Sequence, residues 1–148
     1  MKNEGVAVRP MRAGDAAIVA ELSGELGYPA TTAAILNRFQ LIAAREDAGV
    51  YVAEASDGGV VGWVHVYGTY LLESDPHAEI GGLVVAEKAR GQGVGVELMS
   101  AAEAWAKGHG YGSVRVRSRI VRVEAHGFYE RLGYGRIKTQ HSFRKAIE

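Results

Sequence analysis

The stretch VVAEKARGQGVGVELM, Val84 to Met99, sets three glycines within five residues and then runs, without proline, into a helical pattern. Glycine accepts positive φ and lets other groups approach the backbone, so a turn of this kind can aim several consecutive N–H groups outward. At a helix start those donors lack intrahelical acceptors and the macrodipole adds positive potential. The ligand that suits such a turn is an anion, most often a phosphate. A Walker-type loop needs Gly-Lys-Ser or Gly-Lys-Thr at the helix entry, where this chain has Gly95-Val96-Glu97. A dinucleotide fingerprint needs a third glycine at the place of Val96 and an acidic residue about 20 residues further on, and neither is met. A third pattern runs Arg or Gln, two residues, Gly, one residue, then Gly or Ala. Arg90, Gly93 and Gly95 fit it.

Outward from this turn, helical and strand patterns alternate. Val6 to Arg9 reads as a first strand, followed by a helix that Asp15 can cap, with Ile18, Val19, Leu22 and Leu26 on one face and Gly27 and Pro29 as its stop. Thr31 or Thr32 caps a second helix carrying Ile35, Phe39 and Ile42. Val50 to Ala55 and VVGWVHVYGTY, joined through SDGG, form a hairpin pattern, and Glu79 to Val85 is a further strand whose Gly81-Gly82 pair marks a bulge or a close backbone approach. The helix after the glycine turn shows Val94, Leu98, Ala101, Ala102 and Trp105 on one stripe and stops at Gly108. Ser113 to Ser118 predicts a strand, Glu124 to Leu132 a short helix, and YGRIKTQHSFRKAI two last strands. The order β-α-α-β-β-β-α-β-α-β-β describes an α/β (α+β) fold, a mixed sheet carrying helices.

Composition narrows the function. With 148 residues, 47% of them hydrophobic, and with no linker, repeat or low-complexity tract, the chain is expected to form one domain over 1–148 with a real core. Seventeen basic and seventeen acidic residues balance, so no basic excess calls for nucleic acid. The absence of cysteine excludes disulfides, thiolate metal sites and a cysteine nucleophile. The N-terminal stretch lacks the apolar core of a secretory signal and no apolar run approaches a membrane span, so a soluble, cytoplasmic protein is expected, with no membrane partner. The sequence leaves a homodimer open.

GGLVVAEKARGQGVGVELM (residues 81–99) and EAHGFYERLGY (residues 124–134), in this order and within this succession of elements, resemble the GCN5-related N-acetyltransferase (GNAT) family over nearly the whole chain. The resemblance implies that family's fold, a mostly antiparallel central sheet with helices on both faces, and acetyl-CoA as acyl donor with no metal. It implies that backbone amides of Arg90, Gly91, Gln92, Gly93, Val94 and Gly95 hold the pyrophosphate. It also implies that Leu83, Val84 and Val85 pair through their backbone with the pantetheine arm like an added strand, beside a bulge that splays two strands. The acceptor is then a small-molecule or peptide amine.

Acyl transfer to an amine sets two proton problems. Lysine-like amines titrate near ~10.4 and only the free amine attacks, so a base or a water relay is needed; the departing thiolate, with a thiol pKa near ~8.5, needs an acid. Tyr129 falls on the family's tyrosine position, which implies the acid, while its spacing with Ala125, Phe128 and Leu132 is equally that of an apolar stripe. Glu79, at the start of its predicted strand, corresponds to the glutamate that takes the proton in some relatives; Glu73 and Asp75 bunch with it and favour a cationic acceptor. His65, His77 and His126 lie on separate elements without ligand-type spacing, which speaks against a metal site. Some relatives carry an asparagine three residues before the helix alanine, where this chain has Arg122, so a side-chain contact to pantetheine is in doubt there. Tyr28, Phe39, Tyr70 and Glu73 are acceptor-pocket candidates. Two alternatives stand beside an N-acetyltransferase working by direct attack in a ternary complex: a CoA-binding module without catalysis, and a nucleotide-binding domain.

Overall fold

Five strands, β1 (Val6–Pro10), β2 (Ala48–Ala55), β3 (Val60–Leu71), β4 (Ser74–Val85) and β5 (Val114–Val116), form one sheet in chain order, antiparallel except for the last pair. Helices α1 (Ala16–Glu25) and α2 (Thr32–Ala43) lie between β1 and β2, and α3 (Val94–Gly108) between β4 and β5; α4 (Val123–Arg131) follows β5. The computed structural model describes residues 5–118 and 123–147, and the chain divides into two units, Met1–Val116, which holds the sheet and α1 to α3, and Arg117–Glu148.

Local chemistry explains the elements. Thr31 is the cap of α2, its hydroxyl accepting from Ala34 N at 3.0 Å. Asp15 is buried and works backwards: it accepts from Arg12 N at 2.8 Å and from two Arg9 nitrogens at 2.9 Å each, tying β1 to the chain that enters α1, without capping α1 through its side chain. The SDGG turn closes the β2–β3 hairpin with Gly59 N donating to Asp57 Oδ1 at 2.8 Å.

The core sits between α3 and the sheet. Val94, Leu98, Met99, Ala102, Trp105 and Ala106 are the buried stripe of α3, which packs on β1 through β4; Val64 and Val66 of β3 face it, fully buried. Each buried Val, Leu or Met side chain among these contributes about 1.5–3 kcal/mol by leaving water. The other face of the sheet carries the fully buried Val52 and the alternate positions Val61, Trp63, His65 and Tyr67, while α1 packs against β3 and β4 and α2 against β2. Helices thus cover both faces.

The structure corrects four expectations. Strand β4 begins at Ser74, five residues before Glu79, because the chain turns at residues 72 and 73 and pairs with β3 at once, Leu71 opposite Ser74. Strand β5 is three residues long, since its pairing with β4 ends at Ile80–Val116. Helix α3 includes Gly108 and is terminated by Gly110 at φ 85°, with Tyr111 N closing onto Ala106 O at 3.0 Å. The two expected C-terminal strands do not form among residues 135–147. A strand needs a paired edge and a buried face; here Ile137, Phe143 and Ile147 are all exposed, and Arg136, Lys138, Arg144 and Lys145 crowd the same segment.

In the second unit α4 ends on Gly133 at φ 95°, with Tyr134 N bonded to Tyr129 O at 3.0 Å. Arg122 lies outside the described residues.

Candidate active site

The glycine turn has the backbone the sequence asks for. After a single 3₁₀ turn over Glu87–Ala89, Gly91 (φ 78°) and Gly93 (φ 83°) both adopt the left-handed region, and nothing lies within 4 Å of where a Cβ would stand on Gly91. Both glycines are therefore favoured by conformation, and Gly91 leaves open space in front of the backbone. Gly93 is the N-cap of α3 without a side-chain cap, and the first amide served by the helix is that of Glu97, which donates to Gly93 O at 3.1 Å. The amides of Val94, Gly95 and Val96 precede it and have no intrahelical acceptor. Val94 is 1% exposed, so its side chain anchors the turn in the core. The Arg90 side chain folds back to Val85 O at 3.4 Å and that of Gln92 to Lys88 O at 3.4 Å, which fastens the turn to the strand before it.

Strand β4 leads to this turn with one edge open. On β3 it pairs His65 with Gly82 but Val66 with Ile80, so Gly81 is the extra residue of a bulge. On the other side its pairing to β5 covers Ala78 to Ile80; from Gly81 to Val85, which includes Leu83 and Val84, no strand lies beside it among the described residues. The bulge also needs small residues for space. A Cβ at Gly81 would stand 2.5 Å from His65 Nδ1, and one at Gly82 would stand 2.7 Å from Trp63 Cη2. A strand edge with no neighbouring strand, a bulge that turns it, and a helix start whose first amides lack intrahelical acceptors follow one another along the chain, an arrangement able to receive an extended chain and an anion.

Glu79 occupies the middle of β4 rather than its start and is 7% exposed. Oε2 accepts from Tyr67 OH at 3.1 Å, and Oε1 lies 3.6 Å from Nε2 of His77, whose Nδ1 is 3.2 Å from Asp75 O. The three expected carboxylates therefore part: Glu73 and Asp75 are exposed near the β3–β4 turn, while Glu79 is inside. Next along the same face stand His65, its ring 5.2 Å from that of Tyr67, and Trp63. Burial, and behind it the charge of Arg45, push the His65 imidazole below its ordinary value, so the ring is neutral at neutral pH.

Sequence reasoning finds Glu79 but misses Tyr67 and His77 as its neighbours. Their period-two spacing, 65–67 and 77–79, was the signal, but cross-strand pairing depends on the bulge register. Tyr129 lies in the second unit, half-buried, with its ring edge-on to Phe128 at 5.2 Å and to Tyr134 at 6.1 Å. Of the acceptor-pocket candidates, Tyr28 and Tyr70 are exposed, Tyr70 bonding to Tyr111 OH at 3.1 Å. Among the described residues no cluster of three or more His, Asp or Glu could hold a metal ion, and no helix is long and apolar enough to cross a membrane.

Comparison with known proteins bears on this geometry. The sequence model of the acetyltransferase (GNAT) family matches residues 16–134. An aminoglycoside N(6')-acetyltransferase type 1 of Stenotrophomonas maltophilia is 30% identical over 109 residues, covering 69% of each chain. A transcriptional regulator of Bacillus halodurans C-125 superposes with a TM-score of 0.80 at 25% identity, over 97% of this chain and 99% of that one. The structure of AAC(6')-Iy in complex with the bisubstrate analogue CoA-S-monomethyl-acetylneamine superposes with a TM-score of 0.84 at 19% identity, over 96% and 99%, which shows the shared fold.

Proposed function

Because the chain belongs to the acetyltransferase (GNAT) family, and is an acetyltransferase on that ground, we propose that it is a cytoplasmic N-acetyltransferase that moves the acetyl group of acetyl-CoA to a primary amine of a small molecule or peptide, by direct attack in a ternary complex. The observation that carries this reading is the open edge of β4, Leu83 to Val85, running into the amides of Arg90 to Gly95 at the start of α3. When bound, acetyl-CoA supplies an activated thioester; the chain supplies position and proton handling. The amides from Arg90 to Gly95 hold a pyrophosphate, and the free edge of Leu83, Val84 and Val85 fixes the pantetheine arm. Glu79 takes the proton of the acceptor ammonium, and Tyr129 protonates the departing thiolate. The exposed carboxylates of Glu73 and Asp75 near the β3–β4 turn draw a cationic acceptor toward the strand that carries Glu79. The curated relative is named for an aminoglycoside, so a polycationic amino sugar is the first acceptor class to test, followed by polyamines, amino acids and peptide N-termini in a thiol-release screen.

The cofactor half of this proposal is tested without an acceptor. CoA at about 100 times its Kd is expected to stabilise the protein by roughly 2.7 kcal/mol, read as a rise in Tm. Gly95→Glu is expected to abolish that rise. Gly95 lies in the first turn of α3, outside the set of positive-φ glycines, so a glutamate fits the backbone and complements the helix dipole in the free protein, but opposes a pyrophosphate. A wild-type protein that shows no rise with CoA, while folded, overturns the proposal.

A further inference from the structure

A tight β-hairpin turn is ordinarily built from glycine, asparagine, aspartate, proline or serine, which accept the turn's backbone or bond to it. The turn between β3 and β4 is of another kind. Leu71 pairs with Ser74, so Leu72 and Glu73 are the two turn residues, and neither has positive φ. Tyr70, Leu71 and Leu72 are all exposed, Leu72 completely, and the carboxylates of Glu73 and Asp75 are exposed with them. A single apolar side chain on a surface needs no explanation, but three in succession at a hairpin tip mark a place where something binds.

The tip is held at its base. Tyr111 OH donates to both oxygens of Asp47, at 2.6 and 2.7 Å; its one hydrogen is thus committed, and Tyr70 OH donates to Tyr111 OH at 3.1 Å. Gly68 makes room for this network, since a Cβ there would overlap Asp47 Oδ2 and Tyr111 OH, and Gly68 N donates to Asp47 O at 3.1 Å. The hairpin is therefore tied to the chain that enters β2 and to the chain that leaves α3. Its apolar residues are presented in a fixed place, which lowers the ordering cost of binding.

The chemistry of the tip selects the partner. Pairing of β4 with β5 starts at Ala78, and the edge before it carries the exposed Asp75 and Pro76, two residues that oppose the addition of a strand. Side chains must then make the contact: apolar ones for Tyr70, Leu71 and Leu72, and cationic ones for Glu73 and Asp75, which have no lysine or arginine near them among residues 68–77. From Ser74, β4 runs seven residues to Gly81, where its open edge begins. That is about 20 Å or more of strand at ~3.4 Å per residue. An amino sugar can match the two carboxylates but offers nothing to three apolar side chains. A polypeptide matches both, and reaches the open edge when its amine stands about six or seven residues from an apolar, basic segment.

We propose that Tyr70 to Asp75 form a docking surface for a polypeptide acceptor with apolar and basic side chains, and that the chain acetylates an amine of such a peptide or protein in preference to an amino sugar. The inference rests on the reading of Leu83 to Val85 as the acyl-donor edge and deepens it by choosing the acceptor.

The test uses the full chain with a small alkylamine and two peptides whose only amine is the N-terminus. In one peptide a Leu-Leu-Arg-Arg block follows a Gly/Ser spacer of about six residues; in the other the same residues are dispersed. The spaced peptide is expected to show a kcat/KM about tenfold or more above the dispersed one. Leu71→Ser/Leu72→Ser is expected to erase that preference, and Glu73→Gln/Asp75→Asn or raised salt to weaken it. Leu71→Ser/Leu72→Ser should leave the rate with the alkylamine and the rise in Tm with CoA as in the wild type. Equal values for the two peptides, or a preference that persists unchanged in either variant, overturns the proposal. So does a wild-type chain that sediments as a dimer and becomes a monomer on Leu71→Ser/Leu72→Ser, since a second copy then occupies the tip. No rise in Tm with CoA marks failure of the donor-site reading, whereas a CoA response and alkylamine turnover beside indifference to the peptides remove only the docking surface. If no acceptor turns over, binding of the two peptides with a C-terminal dye, read by fluorescence anisotropy with CoA present, decides by the same comparison.

Discussion

Glu79→Gln is expected to lower kcat by about 100-fold or more near neutral pH, the range that positioned proton transfer typically supplies. Glutamine replaces one oxygen by an amide nitrogen with almost no change of volume, and its remaining oxygen can still accept from Tyr67 OH, which holds Glu79 Oε2 at 3.1 Å. The side chain is 7% exposed inside β4, with the neighbouring backbone paired to both β3 and β5, so little room exists for rearrangement. What the substitution removes is the ability to take a proton. The loss should therefore depend on pH. A lysine-like acceptor amine titrates near ~10.4, so the free amine grows about tenfold per pH unit below that value, and the variant should recover part of its rate at high pH. Acetyl-CoA affinity should hold, because the strand edge and amides that would bind it lie further along the chain. The measurement is kcat against pH for both proteins with one amine acceptor. Parallel profiles would remove Glu79 from proton transfer and leave water or substrate as the acceptor of the proton.

Tyr129→Phe is expected to lower kcat by a similar factor, about 100-fold or more, through a different step. Phenylalanine keeps the ring that packs edge-on to Phe128 and Tyr134 and deletes only the hydroxyl, so α4 and its closure onto Tyr134 N should survive. A purely packing tyrosine would lose about 1 kcal/mol at most, the usual net value of one hydrogen bond, and turnover would be nearly normal. If the phenol protonates the departing thiolate, folding and acetyl-CoA binding persist while kcat falls. The deficit should shrink with acyl donors whose leaving thiol is more acidic, since a better leaving group depends less on an acid. An equal deficit for good and poor leaving groups would mean that the hydroxyl places the thioester, and the acid role would be withdrawn.

The glycine turn was legible because its signal is local. Positive φ at Gly91 and Gly93 and the helix start at Val94 follow from residues within one turn of each other, and no distant contact is needed to produce them. The stripe of α3 was legible for the same reason, and so was the bulge, since Gly81-Gly82 inside a strand has few other meanings. The two C-terminal strands were misread because alternation is a local pattern, while a strand exists only if an edge and a buried face receive it; Ile137, Phe143 and Ile147 find neither.

The sequence by itself determined the order of elements up to α4 and the glycine turn with its helix start, because each rests on spacing or backbone conformation within a few residues. The tertiary structure alone decided the surroundings of Glu79. Its burial, its hydrogen bond from Tyr67 and its place opposite His77 depend on a register shifted by one residue at Gly81 and on a hairpin turn at residues 72 and 73. A shift of one residue turns every side chain of a strand to the other face, so the partners of a strand residue are fixed by pairing across the sheet.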